Sequence, residues 1–243
     1  MGNYYENLRD SLLSQGKILG IDVSAVQGNI DWGFVASKYP WISFGILKCC
    51  DGNWVDPTFQ ANVKGLLTTS IKYFAYSVVH PNDAASQAQT TINAFNGVNP
   101  YCLLVDFETP YANLAQTTQT LQTMLATYQS ALAPATQLGI YSYYGFIAPF
   151  IPALGNVKYA IANYSDINAA HPGIPDENVV IKQFSGWVGA NGCKGMNGGV
   201  PCRNPNHNHG ILLQLNAQDP GTPVDIDVIA SDPFWQYVLA NPY

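Results

Sequence analysis

Near the middle of the chain stands the segment Leu103-Leu104-Val105-Asp106-Phe107-Glu108-Thr109-Pro110, from which an architecture can be predicted. An apolar run is followed by two acids separated by one aromatic residue, and a proline comes soon after. This pattern is typical of a buried strand that ends in a loop. Residues i and i+2 of a strand point to one face, about 6.6 Å apart. Asp106 and Glu108 are therefore expected to share one space at the mouth of a β/α barrel, where such folds hold their active sites.

The two acids also indicate a chemistry. Two carboxylates this close cannot both ionise freely, and burial raises their pKa values further. One acid is then held protonated as a general acid while the other stays anionic, which is the arrangement for glycosidic cleavage. Paired acids at a strand end are equally typical of a helix cap or a cation site, so the pair alone leaves the function open.

Two further acids stand in apolar segments far away in the sequence. Asp22 lies at the end of the first predicted strand, and Asp225 lies near the end of the last, in Val224-Asp225-Ile226-Asp227-Val228. Isolated acids inside apolar strands are costly to bury without a purpose. We therefore predict that Asp22 and Asp225 join the central pair in one anionic cleft; a register error of two residues would exchange Asp225 for Asp227.

Strand-like and helix-like segments alternate on both sides of this centre. The pattern predicts parallel strands with crossover helices, and about eight strands in one domain favour an irregular TIM-like β/α barrel whose helices are reduced or missing in the second half. The predicted strands are Ile18–Val23, Ile42–Cys49, Ile71–Val79, Cys102–Phe107, Gly139–Tyr143, Lys158–Ala162, Val179–Phe184 and Ile211–Leu215. The predicted helices are Asp31–Lys38, Pro57–Thr69, Ala84–Phe95 and Leu114–Leu132.

One catalytic domain is expected over residues 18–243, because 243 residues of which 47% are hydrophobic suffice for one large core. Residues 1–17 carry Leu8, Leu12 and Leu13 at helical spacing and predict an N-terminal helical extension. Residues 186–210 are rich in Gly and Asn and predict a surface excursion. Residues 1–17 also contain Glu6 and no apolar h-region, so no signal peptide is expected in this chain.

The composition excludes several classes of function. Only 11% of the residues are charged, where about 25% is usual. With a net charge of −6 and no basic stripe, the chain is not expected to bind nucleic acid. Its longest apolar run, Phe146–Leu154, is broken by prolines and is shorter than the roughly 20 residues of a membrane span. A polar, uncharged surface suits neutral, hydroxyl-rich ligands such as glycans.

The five cysteines fall into two groups. Cys49, Cys50 and Cys102 lie in apolar segments and are predicted to be small buried residues. The excursion holds a weak zinc candidate, for which a disulfide and free thiols are alternatives. Its residues are Cys193, Cys202, His207 and His209. No other cofactor or metal is expected.

Short motifs follow one another in a fixed order from residue 18 to about residue 230. They are Gly20–Ser24, Gln27-Gly28, Ile30–Trp32, Lys48–Gly52, Val55–Pro57 with Phe59 and Asn62, Ala75-Tyr76, Asp106–Glu108, Gly139–Ser142, Ile161–Tyr164 and Val224-Asp225. In this order and spacing the set resembles the glycoside hydrolase family 25 lysozymes, the Chalaropsis-type N-acetylmuramidases.

The resemblance implies a β/α barrel that cleaves the β-1,4 bond between N-acetylmuramic acid and N-acetylglucosamine with retention of configuration. It implies Glu108 as proton donor, Asp106 as partner carboxylate, and Asp22 and Asp225 as flanking acids. Whether Asp106 or the substrate's acetamido group attacks the anomeric carbon stays open. The expected substrate-binding residues are Tyr76, Tyr164, Tyr141 and Lys48.

The sequence departs from the family pattern near the cleft. Ala25 and Val26 replace a common His and aromatic residue, Ser77 stands where His is frequent, and Asp51 replaces Glu. These changes remove groove contacts but touch none of the four acids.

The seventh barrel strand has two candidates. Gln183-Phe184-Ser185 and Gln214-Leu215-Asn216 both resemble the family's segment, and the spacing to Asp225 favours Gln214.

The implied partner is bacterial peptidoglycan, and the implied place of action is outside the cytoplasm, after secretion or phage delivery. A virion or tail partner is expected if the chain is phage-derived.

Two alternatives remain. A chitinase-type barrel also ends its fourth strand in Asp-x-Glu, but it would carry acids where Tyr101 and Leu104 stand. A non-catalytic glycan-binding or structural protein on the same barrel would be expected to lack the donor Glu108.

Overall fold

Eight strands close into a barrel in the computed structural model, which describes residues 4–81, 83–108, 113–163, 166–185 and 211–241. The barrel strands are β1 (Leu19–Val23), β2 (Ile42–Asp51), β4 (Lys72–Val78), β5 (Cys102–Asp106), β6 (Gln137–Tyr143), β7 (Lys158–Ala162), β8 (Val179–Ser185) and β10 (Thr222–Ile229). They follow one another around the ring in this order, and β10 pairs with β1 to close it. Two short strands, β3 (Trp54–Val55) and β9 (Ile211–Leu213), pair with β2 and β10 beside the ring. The predicted irregular barrel is confirmed.

Strand direction differs from the prediction at one place. The strands from β1 to β8 around the ring pair in parallel, whereas β10 is antiparallel to both β1 and β8. Asp225 therefore lies near the start of its strand rather than near the end. Because β10 runs in reverse, its start lies at the mouth formed by the carboxyl ends of the other strands, and Asp225 stands opposite Asp22 in the register.

The predicted strand Ile211–Leu215 is not a barrel strand. Its first three residues form β9, which pairs with β10 only, and the ring position between β7 and β10 belongs to β8. The preference for Gln214 is therefore wrong, and Gln183 of β8 is the barrel residue. Gln214 lies beside the ring, where its side chain accepts a hydrogen bond from Lys38. Sequence spacing could not show this, because an antiparallel connection from β8 to β10 needs no crossover helix.

Helices alternate with the first strands and then shorten. They are α1 (Tyr4–Ser14), α2 (Trp32–Lys38), α3 (Phe59–Leu66), α4 (Ala84–Phe95), α5 (Leu114–Ala131), α6 (Tyr144–Ile147), α7 (Ile151–Leu154) and α8 (Asp232–Ala240). The side chains of Asp31 and Asn113 cap α2 and α5 by accepting backbone N–H groups. The reduction of helices after β6 confirms the prediction. None of the helices in the described ranges has both the length and the apolar character that a membrane span requires.

The apolar core has two layers. Outward-facing residues of the strands pack against the helices, and Leu12 of α1 is buried in this outer layer. Inside the ring, Phe44 and Phe74 stack with ring centroids 5.1 Å apart. Phe234 of α8 packs edge-on against Phe74, so α8 closes the end of the barrel at which the parallel strands begin. Helix α8 was not predicted, although Ser231 at its N-cap and a proline in its first turn are ordinary signals of a helix start.

Candidate active site

A pocket of about 190 Å³ opens at the opposite end, where the parallel strands end. It brings together the four predicted acids and two of the predicted tyrosines. Two polar residues that were not predicted as site residues, Gln183 and Asp227, line it as well. The lining residues are Asp22, Ile46, Tyr76, Leu104, Asp106, Glu108, Tyr141, Gln183, Asp225 and Asp227.

Asp106 and Glu108 share the pocket, as the alternation of strand side chains predicts. Asp106 is the last residue of β5 and only 5% exposed, whereas Glu108 is exposed at the pocket mouth. The strand end is fixed on both sides, because Val79 N–H donates to the Asp106 carbonyl and Phe107 N–H donates to the Tyr141 carbonyl. Among the described residues, Asp106 Oδ1 has no hydrogen-bond partner, so this buried oxygen is available to a ligand.

Burial raises the pKa values of both carboxyls of this pair. It raises the pKa of Asp106 well above its usual value, and the nearby carboxyls of Glu108 and Asp22 raise that pKa further. Burial also raises the pKa of Glu108, while the ammonium group of Lys48 lowers it. Because the two acids interact, they titrate as a pair, and Glu108 is its solvent-accessible member.

Lys48 lies beside the acid pair and is linked through Asp51 to His80. Its Nζ lies 2.7 Å from Asp51 Oδ2, and Asp51 Oδ1 lies 2.5 Å from His80 Nε2. Lys48 does not line the pocket; it acts there as a cation that lowers the pKa values of Asp106 and Glu108. Asp51, which stands where the family pattern has Glu, forms an ion pair with this lysine.

Asp22 is fixed by hydrogen bonds that cross three strands. The Tyr141 hydroxyl donates to Gln183 Oε1 over 2.7 Å, and Gln183 Nε2 donates to Asp22 Oδ2 over 2.5 Å. The Tyr141 bond thus orients the amide so that its N–H₂ group faces the carboxylate. Burial raises the pKa of Asp22 to about 7, and the Glu108 carboxyl contributes to the increase. Gln183 reaches the site because it lies on β8, a strand of the ring; a glutamine in the sequence does not by itself indicate such a position.

Asp227 is the second acid on the inner face of β10 and is only 1% exposed. Its carboxyl is hydrogen-bonded to that of Asp22. Two carboxyls can form such a bond only when one carries a proton. This bond lowers the pKa of Asp22 and raises the pKa of Asp227, so Asp227 is the donor. Burial and the nearby carboxyls of Asp22 and Asp225 raise the pKa of Asp227 well above its usual value.

The alternation around Asp225 could have revealed Asp227. Residues 225 and 227 are spaced as Asp106 and Glu108 are, and this spacing places both side chains on one face of a strand. The residue opposite Asp227 in β1 is Gly20, where a Cβ atom would lie 2.5 Å from the Phe44 ring, so only glycine fits beside the buried acid.

The remaining predicted site residues divide into described and undescribed positions. Tyr76 lines the pocket, and burial together with the neighbouring carboxylates raises the pKa of its phenol well above the usual value, so the hydroxyl stays a donor. Tyr164 lies outside the described residues, as does the zinc candidate of Cys193, Cys202, His207 and His209.

The three cysteines outside the excursion are buried free thiols, as predicted. They are Cys49, Cys50 and Cys102. Within the described ranges, no three His, Cys, Asp or Glu side chains are grouped so that they could hold a metal ion.

A barrel whose mouth gathers buried carboxylates defines a glycoside hydrolase type of site. The family model "Glycosyl hydrolases family 25" matches residues 21–190 of this chain. The chain belongs to this family.

A relative known by sequence is Lysozyme M1 of Streptomyces globisporus, which is 37% identical over 81 residues. This alignment covers 33% of the present chain and 27% of the relative, so it spans about a quarter of that protein's length.

Solved structures share the fold at low identity. A family 25 glycosyl hydrolase from Bacillus anthracis superposes with a TM-score of 0.64 at 17% identity, over 90% of this chain and 92% of that one. The bacterial lysozyme from Streptomyces coelicolor gives a TM-score of 0.64 at 18% identity, over 92% and 97%. The catalytic domain of endolysin ply40 from the Listeria monocytogenes bacteriophage P40 gives 0.62 at 16% identity, over 91% and 97%.

Proposed function

We propose that this protein hydrolyses the β-1,4 bond between N-acetylmuramic acid and N-acetylglucosamine in bacterial peptidoglycan, with retention of configuration. The observation that carries this proposal is the convergence of Asp22, Asp106, Glu108 and Asp225 in one pocket at the mouth of a family 25 barrel. The names of its relatives, which are lysozymes and an endolysin, agree with this substrate.

Glu108 is the proton donor in this proposal. A general acid must hold its proton at the working pH and must reach the leaving oxygen. The raised pKa of Glu108 meets the first condition, and its exposure at the pocket mouth meets the second.

Asp106 is proposed to stabilise the positive charge that develops at the anomeric carbon, in the form of the pair in which Glu108 holds the proton and Asp106 is the anion. Its free oxygen, Oδ1, lies within the pocket wall and can approach either that carbon or the acetamido group beside it. Asp22 and Asp225 add negative charge from the opposite strands. Direct attack by Asp106 and attack by the substrate's acetamido oxygen both give retention, and inhibition by a sugar thiazoline, which mimics the cyclised acetamido intermediate, would identify the second route.

Substrate binding is proposed for the tyrosines at the mouth. Tyr76 and Tyr141 present aromatic faces and neutral hydroxyls to the pocket, a combination that suits a sugar ring. Tyr164 and Lys48 are proposed as further contacts, Lys48 through its charge.

The proposed place of action is the cell wall outside the cytoplasm, reached by secretion or by phage delivery. For a phage-derived chain the proposal includes a virion or tail partner.

Turbidity of purified bacterial walls tests the proposal. The wild-type protein should clear the suspension. Glu108→Gln should reduce the rate of clearing by about 10² to 10⁴-fold, which is the usual contribution of a general acid. Glu177→Gln is the matched control, because Glu177 is exposed just before β8, at the opposite end of the barrel. Clearing by Glu108→Gln at more than roughly a tenth of the wild-type rate would refute the donor, and failure of the wild type to clear would favour a binding protein.

A further inference from the structure

The mouth of the barrel carries exposed apolar side chains that the proposed mechanism does not use. Seven large hydrophobic side chains are exposed among the described residues, and three of them lie on the two segments that follow β1 and β2 at the mouth. Val26 follows β1 and is 67% exposed, while Trp54 and Val55 form β3 and are 54% and 40% exposed. The Ala25 N–H donates to Asp56 Oδ2 over 2.8 Å, which ties the two segments together. We name these three residues the apolar rim. Clustering distinguishes them from hydrophobic residues scattered singly over a surface.

An irregularity in β2 turns Trp54 toward the pocket side. Phe44 and Ile46 of β2 face the barrel interior, and Lys48 acts on the acid pair. The register with β4 then shifts between Lys48 and Cys50, as in a β-bulge. As a result both Cys49 and Cys50 are buried in the outer layer.

After this shift Asp51 returns to the side of Lys48, with which it is paired. Trp54 stands directly opposite Asp51 in the hairpin. Directly opposite residues of an antiparallel pair place their side chains on one face. The Trp54 side chain is therefore on the same face of the hairpin as the Asp51 carboxylate, which Lys48 connects to the acid pair.

The hairpin that carries Trp54 is held from both sides. Gly52 N–H donates to the Val78 carbonyl over 2.9 Å, and Asn53 Oδ1 accepts from the hydroxyls of Ser86 and Thr90 on α4. Asp56 N–H donates to the Cys49 carbonyl over 2.9 Å. An aromatic side chain on an anchored backbone loses little freedom when it binds a ligand.

We propose that Trp54 is a stacking platform for a sugar ring of the glycan strand beyond the sugars that flank the cleaved bond. Pyranose rings present C–H faces that pack on the flat face of an indole, whose edge stays in contact with water. The neighbouring Asp51 carboxylate and the exposed His80 can bond sugar hydroxyls at the ring edge. This inference rests on the proposed function, because the glycan strand is its substrate.

Hydrolysis of soluble glycan fragments of increasing length tests the platform. Trp54→Ala should leave kcat/KM unchanged on the shortest cleaved fragment and lower it about tenfold on long fragments, through KM rather than kcat. Trp54→Phe should retain most of the long-fragment rate because a phenyl ring still stacks. Leu67→Ala, which removes an exposed apolar side chain just after α3 at the far end of the barrel, should change neither rate. An equal loss at all lengths, or no loss at any length, would overturn the inference.

A binding titration separates this inference from the proposed function. In Glu108→Gln, long fragments should change the tryptophan fluorescence, and adding Trp54→Phe should remove that change while the affinity falls less than threefold. If the wild type cleaves no fragment, the function is refuted while the titration still decides the platform. A fluorescence change that persists after Trp54→Phe would overturn the platform even in an active enzyme.

Discussion

The two ends of the barrel interior are built from the same strands and have opposite character. At the closed end, Phe44, Phe74 and Phe234 pack ring against ring in a cluster of apolar and aromatic side chains. At the mouth, the strands β1, β5 and β10 of the same ring present buried carboxyls that share protons and hydrogen bonds. The closed end therefore supplies stability, whereas the mouth holds groups whose burial opposes folding so that they can react.

The largest effect on stability is expected at the closed end. Phe74→Ala removes a fully buried ring that contacts two other aromatic rings, so it should lower the free energy of unfolding by about 3–5 kcal/mol. Urea unfolding measures this loss, and activity per folded molecule should stay near that of the wild type at low temperature. A loss below about 1 kcal/mol would contradict the role assigned to the closed end.

The opposite sign is expected at the mouth for Asp106→Asn. Burial raises the pKa of Asp106, so the folded wild type holds a proton that the unfolded chain releases above about pH 4. Wild-type stability therefore falls as pH rises from that value through the raised pKa, whereas the neutral Asn variant is spared this loss.

Thermal unfolding at pH 4 and pH 8 measures the difference. Asp106→Asn should be more stable than the wild type at pH 8, the advantage should shrink at pH 4, and hydrolysis should fall severely. Equal melting temperatures at both pH values would show that the burial of Asp106 carries no cost.

Two variants of Asp227 examine whether this acid works as a neutral donor. Asp227→Asn keeps an N–H donor toward Asp22 and should retain activity within about threefold, because a hydrogen bond of about 1 kcal/mol is preserved. Asp227→Leu removes the donor and should lower kcat about tenfold with little change in KM. If Asn is as damaging as Leu, the site requires Asp227 as an anion.

The smallest effect is expected in the pH profile of Asp22→Asn. The Asp22 carboxyl raises the pKa of Asp106, which titrates together with Glu108. Removing its charge should move the alkaline limb of the pH–rate profile to lower pH by less than about one unit, since the pair then loses its proton more easily. Soluble glycan fragments avoid changes in wall charge. A limb that stays in place or moves upward would show that Asp22 is not coupled to the donor pair.

The sequence predicted the mouth better than it predicted the path of the chain. Asp22 and Asp106 stand at the ends of apolar runs, and the carboxyl ends of barrel strands meet at one mouth, so the sequence was enough to place them together. Alternation is the same in parallel and antiparallel strands, so it could not give the direction of β10 or exclude Gln214 from the ring. Gln183 was not predicted as a site residue for the same reason, because its role depends on which strands lie beside β8. Asp227 was missed although its spacing from Asp225 could have revealed it.

Mass spectrometry of the fragments released from purified peptidoglycan tests the central claim most directly. After digestion, borohydride reduction marks each new reducing end. We predict reduced N-acetylmuramic acid at the cleaved ends with wild-type protein and no such ends with Glu108→Gln. Reduced N-acetylglucosamine, or cleavage that persists in Glu108→Gln, would contradict the account.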